Sequence, residues 1–466
     1  MSVKNTHLGA NKIGELLALC KSIFFIGIGG VNMSSLAIIC NNLGYKVGGS
    51  DRTKTALTQK LTEQGIDVKY THVEDNIDGY DAVVYTVAIS EDNPEYTQAN
   101  RSGLPCISRA DFMGYLMTGY NRRIGISGMH GKSTCTSMCA SVFMSANTDP
   151  TILSGASLKS MGGAYRIGSN DNFIFEACEY MDSFLDFNPT IAVILNIEMD
   201  HVDYFKNMEH IYSSFNKFAE IASLSNGCVV YNADDSNVNK ALDGFKGRKI
   251  GFSVNDMNAF VKASNLKYNK GRAEFDVVLD NEVFCHIKLN VAGTHNVYNA
   301  LATCAVAYLS GIGGENIEQG LASFSGADRR MEYKGNWLGA DVYDDYGHHP
   351  TEIKRTLEGA SKMGYKRVYC VFQPHTYSRT IGLLDNLVQS FDDIHKAVIA
   401  DIYAAREPYT DEISAKKIAD LIENAEYVGD MQSISEYLRQ ELNESDLLIV
   451  MGAGDIYKIF DYMELN

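Results

Sequence analysis

The sequence predicts an α/β protein with three domains, in each of which apolar strands alternate with helices. The chain has 466 residues, and a domain commonly holds about 150 residues. A strand that runs into a glycine-containing turn and then a helix opens the first two units, and a similar turn recurs near the end of the third. We expect domains over residues 1–119, 120–327 and 328–466.

Composition narrows the possible partners. The formal net charge is −17, from 41 basic and 58 acidic residues, which disfavours nucleic acids and anionic membranes as partners because both require basic surfaces. The ten cysteines form no C-x-x-C pair, so reduced thiols are favoured over a zinc site. The N-terminus lacks a signal-peptide pattern and no apolar run reaches the ~20 residues of a membrane helix. We therefore expect a cytoplasmic protein.

The first unit has the layout of a Rossmann-like nucleotide-binding domain. An apolar strand over 23–26 enters a turn with Gly27, Gly29 and Gly30, a helix follows from about Met33, and a second strand over 45–48 leads to Ser50 and Asp51. The third glycine of the G-x-G-x-x-G pattern is replaced by Asn32. A turn at a helix N-terminus can bind a diphosphate, and a tight turn without a ligand is the alternative.

The second unit contains a P-loop-like segment, "GISGMHGKST", over residues 125–134. Ile126 stands where the strict G-x-x-x-x-G-K-[ST] pattern has its first glycine, but the core of Gly131, Lys132 and Ser133 remains between a strand and a helix. Backbone amides of such a turn surround phosphate, the lysine contacts the outer phosphates and the hydroxyl binds the metal ion. The segment predicts phosphate binding.

Polar side chains follow two later strands of this unit. Glu176 ends the strand that begins at 173, and His201 follows the strand at 191–195 together with Asn196, Glu198 and Asp200. Ligands of parallel sheets gather at the carboxyl ends of strands, so we expect Lys132, Ser133, Glu176 and His201 to converge. A surface acid at Glu176 and a helix-start cap at His201 are the alternatives.

A helix-like stretch over residues 291–312 carries Asn296 and Asn299 near its start. Residues three apart share one helix face, so this pair could contact an adenine edge, and helix capping is the alternative.

The third unit again alternates strands and helices, with strands in the stretches DVYDDYGHHP, RVYCVFQPH, KAVIADIY and LLIVMGAGD, which begin at residues 341, 367, 396 and 447. The first of them is followed by Tyr346, His348 and His349, and the second by His375 and Arg379. The adjacent histidines raise the possibility of zinc, which we disfavour because no third ligand has suitable spacing.

These motifs, in this order, resemble those of the Mur ligases. The quoted stretches, which extend over most of the chain, are GIGGVNMS, GMHGKST, EACEYMDSF, LNIEMDHVDYF, GTHNVYNA, ADRRMEY, DDYGHHPTE and FQPHTYSRT. The resemblance implies a UDP-sugar-binding domain, a central ATP-binding domain and a C-terminal Rossmann-like domain that admits the amino acid. The sequence departs from common family residues at Asn32, Met129, Ser133 and Thr376. The last departure leaves Arg379 as the better partner of the amino-acid carboxylate.

The resemblance also implies roles for individual residues. The implied UDP-sugar site comprises Gly29, Gly30, Val31, Asn32, Met33, Ser34, Asp51, His72 and Arg109. The implied ATP site comprises Gly128, Met129, His130, Gly131, Lys132, Ser133, Thr134, Asn296, Asn299, Asp345 and Arg330, with Arg329 as the alternative to Arg330. The implied amino-acid site comprises Tyr346, His348 and Arg379, the metal site comprises Ser133, Glu176 and His201, and the catalytic residues are Lys132, His201, His348 and Arg379.

The activity that the resemblance implies is the ATP-dependent joining of L-alanine to the carboxylate of UDP-N-acetylmuramate through an acyl phosphate, in peptidoglycan precursor synthesis. It implies ATP and Mg²⁺, or Mn²⁺, and a monomer or homodimer. Two alternatives stay open. One is a recycling ligase that attaches a peptide, and the other is a nucleotide sensor without catalysis, against which the His348 and Arg379 set argues because a sensor needs no amino-acid pocket.

Overall fold

The computed structural model describes residues 3–158, 161–201, 204–269, 271–326, 328–405 and 407–466. Val202 and Asp203, which belong to one of the quoted motifs, and Ala327, the expected last residue of the central domain, lie outside the described residues. Three separate sheets follow one another along the chain. The α/β architecture with three domains is confirmed, and the boundaries at 119/120 and 327/328 stay a prediction.

The first domain is a parallel five-stranded sheet with the strand order β3-β2-β1-β4-β5. Its strands are β1 (Ser22–Ile26), β2 (Lys46–Ser50), β3 (Asp67–Lys69), β4 (Ala82–Tyr85) and β5 (Cys106–Ser108). Its helices are α1 (Ala10–Leu17), α2 (Val31–Asn42), α3 (Ala56–Glu63), α4 (Pro94–Arg101) and α5 (Arg109–Leu116), with 3-10 turns at Glu74–Ile77 and Met117–Gly119. Helix α2 starts two residues before the predicted Met33 because Gly30 is its N-cap.

The central domain is built on a ten-stranded sheet with the order β15-β14-β13-β12-β11-β10-β6-β9-β7-β8. The strands are β6 (Arg122–Ser127), β7 (Thr151–Leu158), β8 (Gly163–Arg166), β9 (Asn172–Glu176), β10 (Ile191–Ile194), β11 (Cys228–Asn232), β12 (Lys249–Ser253), β13 (Val261–Asn269), β14 (Arg272–Leu279) and β15 (Glu282–Ala292). The helices are α6 (Lys132–Ser145), α7 (Met208–Leu224), α8 (Ser236–Ala241), α9 (Thr294–Leu309) and α10 (Gly314–Ser323), with a 3-10 segment at Tyr180–Asp186. The middle of the sheet is parallel, and β7–β8 and β13–β15 are antiparallel additions.

The third domain is a six-stranded sheet with the order β16-β17-β21-β18-β19-β20, parallel except for β16. The strands are β16 (Glu332–Trp337), β17 (Ala340–Asp345), β18 (Val368–Phe372), β19 (Lys396–Ala400), β20 (Ala425–Gly429) and β21 (Leu447–Met451). The helices are α11 (Pro350–Ser361), α12 (Tyr377–Gly382), α13 (Leu384–Val388), α14 (Ala415–Ala419) and α15 (Met431–Glu441), with 3-10 turns at Gln389–Phe391 and Ile456–Tyr462.

The strands at the centres of the sheets are continuous apolar runs, which explains their burial on both faces. Strands β1, β10, β18 and β21 are buried at every position, as expected for parallel sheets covered by helices on both sides. Polar residues therefore collect just beyond the carboxyl ends of the strands, where the helices begin. Among the described helices, none is both long and apolar enough to cross a membrane.

Candidate active site

A cleft of about 600 Å³ lies in the first domain beside the β1–α2 turn. Its lining residues are Gly27, Gly30, Val31, Asn32, Met33, Asp51, Arg52, His72, Thr86, Ala88, Ile89, Arg109 and Gly155. Of the nine residues predicted for the UDP-sugar site, all but Gly29 and Ser34 line it. Gly155 belongs to strand β7 of the central domain, so residues of both the first and the central domain line this cleft.

The two predicted residues that do not line the cleft shape its turn. The Gly29 amide donates to Asp51 Oδ2 at 2.9 Å, and a Cβ on Gly29 would lie 2.7 Å from that oxygen. The close approach therefore requires glycine at this position. Ser34 Oγ donates to the Val31 carbonyl at 2.9 Å inside helix α2. Both residues stabilise the backbone that borders the cleft.

His72 is held by a carboxylate that the sequence did not single out. Its Nδ1 lies 2.7 Å from Oε2 of Glu95 and 3.1 Å from Ser50 Oγ. Glu95 is fully buried and also accepts hydrogen bonds from Ser50 Oγ and Asn76 Nδ2, each at 2.7 Å. A buried carboxylate requires such partners, and together they fix the orientation of the His72 ring in the cleft.

The P-loop in the central domain is fixed by an amide side chain. Asn196, two residues after β10, accepts from the His130 amide and donates to the His130 carbonyl, both at 2.9 Å. Gly131 has a φ of 82°, and a Cβ there would lie 2.7 Å from Asn299 Oδ1. Only glycine combines this left-handed backbone with so close a contact.

Lys132 and His201 meet at Glu179. Lys132 Nζ lies 3.1 and 3.0 Å from the two carboxylate oxygens of Glu179, and His201 Nε2 lies 3.2 Å from Oε1. Burial alone would lower the pKa of the Lys132 ammonium, but Glu179 and its neighbours raise it to about 12. Glu179 is fully buried, and although burial opposes ionisation, Lys132 and His201 hold its pKa below the usual value.

Ser133 and Glu176 form the adjoining pair. Ser133 Oγ donates to Glu176 Oε2 at 3.1 Å, and Glu176 Oε1 accepts from Ser154 Oγ at 3.2 Å and from the Gly155 amide. A hydroxyl and a carboxylate are oxygen ligands of the kind that Mg²⁺ prefers, so this pair fits a magnesium ion. His201 offers an imidazole nitrogen that already faces Glu179, which fits magnesium less well. The structure thus brings together Lys132, Ser133, Glu176 and His201.

The two asparagines of helix α9 lie against the P-loop. Asn299 contacts Gly131 and donates to Asn296 Oδ1 at 3.2 Å. Asn296 Nδ2 donates to the Ala292 carbonyl at 2.7 Å. The N-cap of α9 is Gly293, which makes no side-chain cap, so neither asparagine has the capping role that was the alternative.

Arg329 and Arg330 differ sharply in their surroundings. Arg329 donates to the carbonyls of Gly454 and Gly452 and lies 3.1 Å from Asp344 Oδ2. Its guanidinium also lies over the ring of Tyr346 at 5.1 Å. Arg330 is a quarter exposed, its guanidinium lies 5.2 Å from the centre of the Tyr346 ring, and its Nη1 lies 3.6 Å from a carboxylate oxygen of helix α11. Arg329 is almost as exposed as Arg330, but its guanidinium already donates to two carbonyls and faces Asp344, which favours Arg330 for phosphate.

Asp345 and His348 are placed by the backbone around them. Asp345 accepts from the amides of Gly347 and Met331, both at 2.8 Å. His348 Nδ1 lies 3.1 Å from the Tyr346 carbonyl, so Nδ1 carries the proton and Nε2 keeps its lone pair. Burial, helped by the nearby charge of Arg379, lowers the pKa of His348 to about 4. The ring is neutral at pH 7.

Arg379 links the third domain to the central domain. Its Nε and Nη2 lie 3.3 and 3.4 Å from Asp200 Oδ1, and its Nη1 lies 3.1 Å from His375 Nδ1. Burial would raise the pKa of Asp200, but His201 and Arg379 hold it far below its usual range. The residue predicted to bind the amino-acid carboxylate is thus oriented by a buried aspartate.

His130, Glu198 and His349 form the one cluster of potential metal ligands found among the described residues. His349 Nδ1 accepts from the Thr351 amide at 3.3 Å, and its Nε2 lies 3.1 Å from the Met199 carbonyl. With Nδ1 as acceptor and Nε2 as donor, the ring has no lone pair left for a metal ion. The cluster is therefore better described as a charged contact between domains than as a zinc site.

Family models match three consecutive segments of the chain. The Mur ligase family catalytic domain matches residues 22–121, the Mur ligase middle domain matches 126–307 and the Mur ligase glutamate ligase domain matches 329–454. The chain belongs to the Mur ligase family.

Relatives of this Mur ligase extend over nearly its whole length. It is 46% identical over 444 residues to a UDP-N-acetylmuramate–L-alanine ligase of Acetivibrio thermocellus, covering 94% of each chain. It is 44% identical over 443 residues to a ligase of the same name from Clostridium novyi, covering 94% of this chain and 96% of the relative. The resemblance inferred from the motifs is confirmed.

Two solved structures share this Mur ligase's fold. The UDP-N-acetylmuramate–alanine ligase MurC of Thermotoga maritima has a TM-score of 0.78 at 26% identity and covers 95% of this chain and 97% of its own. The murein peptide ligase of Psychrobacter arcticus has a TM-score of 0.69 at 22% identity, with 95% and 98% covered. The second likeness shows the fold alone.

Four polar residues that position predicted site residues were not themselves predicted from the sequence. They are Glu95, Glu179, Asn196 and Asp200, which contact His72, Lys132, the His130 backbone and Arg379 respectively. Glu179 stands in EACEYMDSF, three residues after Glu176. The signal that could have found it is its position three residues beyond the end of a buried strand, close to a carboxylate that had already been selected.

Proposed function

We propose that the protein is an ATP-dependent ligase that joins L-alanine to the carboxylate of UDP-N-acetylmuramate in peptidoglycan precursor synthesis. The relatives of 44–46% identity that carry this name support the substrates. The single observation that carries the activity is the meeting of Lys132, Ser133, Glu176 and His201 at one edge of the central sheet, opposite His348 and Arg379.

The first step of the proposed reaction activates the muramate carboxylate. One carboxylate oxygen attacks the γ-phosphorus of ATP, the bond to the β-phosphate oxygen breaks, and ADP leaves behind an acyl phosphate. Lys132 neutralises charge on the outer phosphates, and backbone amides of residues 128–134 orient them, because phosphoryl transfer depends mainly on positioning and electrostatics. Mg²⁺ held by Ser133 and Glu176 would supply further neutralisation of phosphate charge.

The second step forms the amide. The ammonium of L-alanine loses a proton, its nitrogen attacks the acyl carbon, and the bond to the phosphate oxygen breaks with release of inorganic phosphate. His348 Nε2 has a free lone pair and is the proposed first acceptor of the proton. Because the pKa of His348 is about 4, it would pass the proton on to solvent rather than retain it.

Arg379 is proposed to bind the alanine carboxylate. Asp200 and His375 fix the orientation of the guanidinium, and its remaining N–H groups are available for a second carboxylate. Arg330 is proposed at the ATP phosphates, Asn296, Asn299 and Asp345 at the nucleoside, and the cleft of the first domain at the UDP-sugar. We propose a cytoplasmic enzyme, as a monomer or homodimer, because its co-substrate ATP is found there.

A recycling ligase that takes a peptide instead of L-alanine is the second candidate, because a peptide also presents an amine to the acyl phosphate and the same site chemistry serves both acceptors. The two activities are separated by kcat/KM for L-alanine and for a muropeptide-derived tripeptide, measured with the same ATP, Mg²⁺ and UDP-N-acetylmuramate. The proposal predicts a higher value for L-alanine, with glycine and L-serine slower by ~10–200-fold. A higher value for the tripeptide would replace it with the recycling activity.

A further inference from the structure

Glu352 has no role in the proposed chemistry, although it ends the stretch DDYGHHPTE. It lies in the first turn of helix α11 and closes a capping box with His349, the N-cap residue. Its Oε2 accepts from the backbone amides of His348 at 3.1 Å and of His349 at 3.4 Å. Its side chain is only 13% exposed. A cap alone does not require a buried charge, because glutamine serves equally at this position.

The same carboxylate faces three basic groups from different segments. It lies 3.3 Å from His130 Nδ1 on the P-loop, 3.6 Å from Arg330 Nη1 before β16, and 3.5 Å from His348 Nδ1. One of these segments belongs to the central domain and two belong to the third. Arg330 and His348 are the proposed phosphate and amino-acid residues, so Glu352 contacts parts of both sites.

His130 completes the link on its other side. Its Nε2 lies 3.4 Å from Glu198 Oε2, and Glu198 in turn contacts Thr351 Oγ1 and lies 3.4 Å from Arg355 Nη2 on helix α11. His130 is thus placed between two carboxylates, with the geometry of ion pairs rather than of aligned hydrogen bonds. Burial would lower the pKa of His130, but the two carboxylates raise it to about 9. The ring is therefore a cation at neutral pH.

We propose that Glu352 is a positioning residue that couples the P-loop to the third domain through His130. Through the same carboxylate it holds Arg330 and His348 in fixed positions relative to the P-loop. The inference rests on the proposed function for its kinetic readout. It goes beyond that function because it concerns the coupling of the nucleotide-binding loop to the amino-acid site. A nucleotide on the P-loop would therefore affect helix α11 through the contacts of His130 with Glu352 and Glu198.

The deciding variant is Glu352→Gln in the full chain, because it keeps the cap and removes the charge. We expect kcat to fall about tenfold or more, and the KM for UDP-N-acetylmuramate to stay within about twofold, since that site lies in the first domain. Calorimetry with ATP and Mg²⁺ alone should show ATP binding weakened about tenfold. Glu358→Gln, six residues further along the same helix, is the matched control and should leave all three quantities unchanged.

A double-mutant cycle tests the coupling itself. If His130 and Glu352 act as one unit, His130→Gln and Glu352→Gln together should weaken ATP binding no more than either change alone. If the fold-losses of ATP affinity of the two single variants multiply in the double variant, the proposal is overturned. It is also overturned if Glu352→Gln has wild-type ATP binding and kcat, because Glu352 would then serve only as a helix cap. Should Glu352→Gln fail to fold, His130→Gln is measured by itself with the same calorimetry and kinetics, and wild-type ATP binding and kcat in that variant would overturn the proposal.

The binding arm keeps this inference separate from the proposed function. If the wild-type protein does not ligate L-alanine, the ligase proposal fails, while the cycle measured by ATP calorimetry still supports or overturns the coupling through His130.

Discussion

Replacing Glu179 by glutamine tests the carboxylate at the centre of the site. In the structure this buried side chain contacts Lys132 Nζ with both oxygens and His201 Nε2 with one. Glutamine has the same size and can still accept one hydrogen bond, but it removes the charge that compensates the buried ammonium. Lys132 would retain its contacts to the carbonyls of Gly128 and Met129. The free protein should therefore lose stability.

The size of the loss follows from these contacts. Leaving one member of a buried ion pair uncompensated costs about 3–5 kcal/mol, and the carbonyls and the glutamine amide recover roughly 1–2 kcal/mol of that. The remaining ~2–3 kcal/mol corresponds to a fall in Tm of about 4–12 °C for a domain of this size. ATP brings phosphate charge to Lys132, so nucleotide should restore most of the lost stability.

The assay is thermal unfolding with and without saturating ATP, compared with Glu220→Gln on the exposed face of helix α7. We expect the ATP-induced rise in Tm to be larger in Glu179→Gln than in the wild type, by about 3 °C or more, and unchanged in the control. If Glu179→Gln has the wild-type Tm without nucleotide, or gains no more from ATP than the wild type, Glu179 does not compensate Lys132.

Three further outcomes follow from the same site. Lys132→Ala should fold and lose at least ~10²-fold in kcat, because the lysine meets charge that grows in the transition state; near wild-type turnover would remove the P-loop assignment. Arg330→Ala should lower kcat/KM for ATP with little change in Tm, whereas Arg329→Ala should lower Tm because it leaves Asp344 and two carbonyls unpaired; the reverse pattern would exchange their roles. The pKa of His130 is about 9 in the folded chain against 6.5 ordinarily. The protonated ring therefore adds its full contribution to the unfolding free energy below pH 6.5, and this contribution is lost as pH rises through 9. The difference in unfolding free energy between wild type and His130→Asn should thus shrink by up to roughly 3 kcal/mol over that range in urea titrations, and a constant difference would show that His130 is not charged.

The parallel core of each domain was predictable because strand periodicity and glycine turns are local signals. Glu176 is the last residue of β9 and His201 follows β10, so the rule that ligands gather at strand ends placed them together correctly. Helix α9 and the Asn296–Asn299 pair were found for a similar reason, since spacing of three residues defines a helix face.

Glu179 was missed because its position depends on irregular backbone. It precedes Met181 and Asp182, which have φ values of 53° and 55°, and left-handed residues of this kind have no periodic signature. In this irregular segment Glu179 comes within 3.0 Å of Lys132 Nζ. No propensity scale would place a carboxylate there.

The antiparallel additions to the central sheet were missed although one of them carries a signal. In β15, Cys285, Ile287 and Leu289 are buried while His286 and Lys288 face outward, which is the strict alternation of a half-buried strand. The alternation shows that the segment is a strand but does not show which strands it pairs with. Pairing of β14 with β13 and β15 depends on long-range contacts that only the folded sheet supplies.

The most direct test of the ligase mechanism uses UDP-N-acetylmuramate whose carboxylate carries two ¹⁸O atoms, with ATP, Mg²⁺ and L-alanine. Activation as an acyl phosphate transfers one carboxylate oxygen to the released phosphate, so mass spectrometry should find ADP, the alanyl product and inorganic phosphate with a single ¹⁸O, all dependent on L-alanine. Phosphate without the label, label in AMP, or no product with L-alanine would contradict the account.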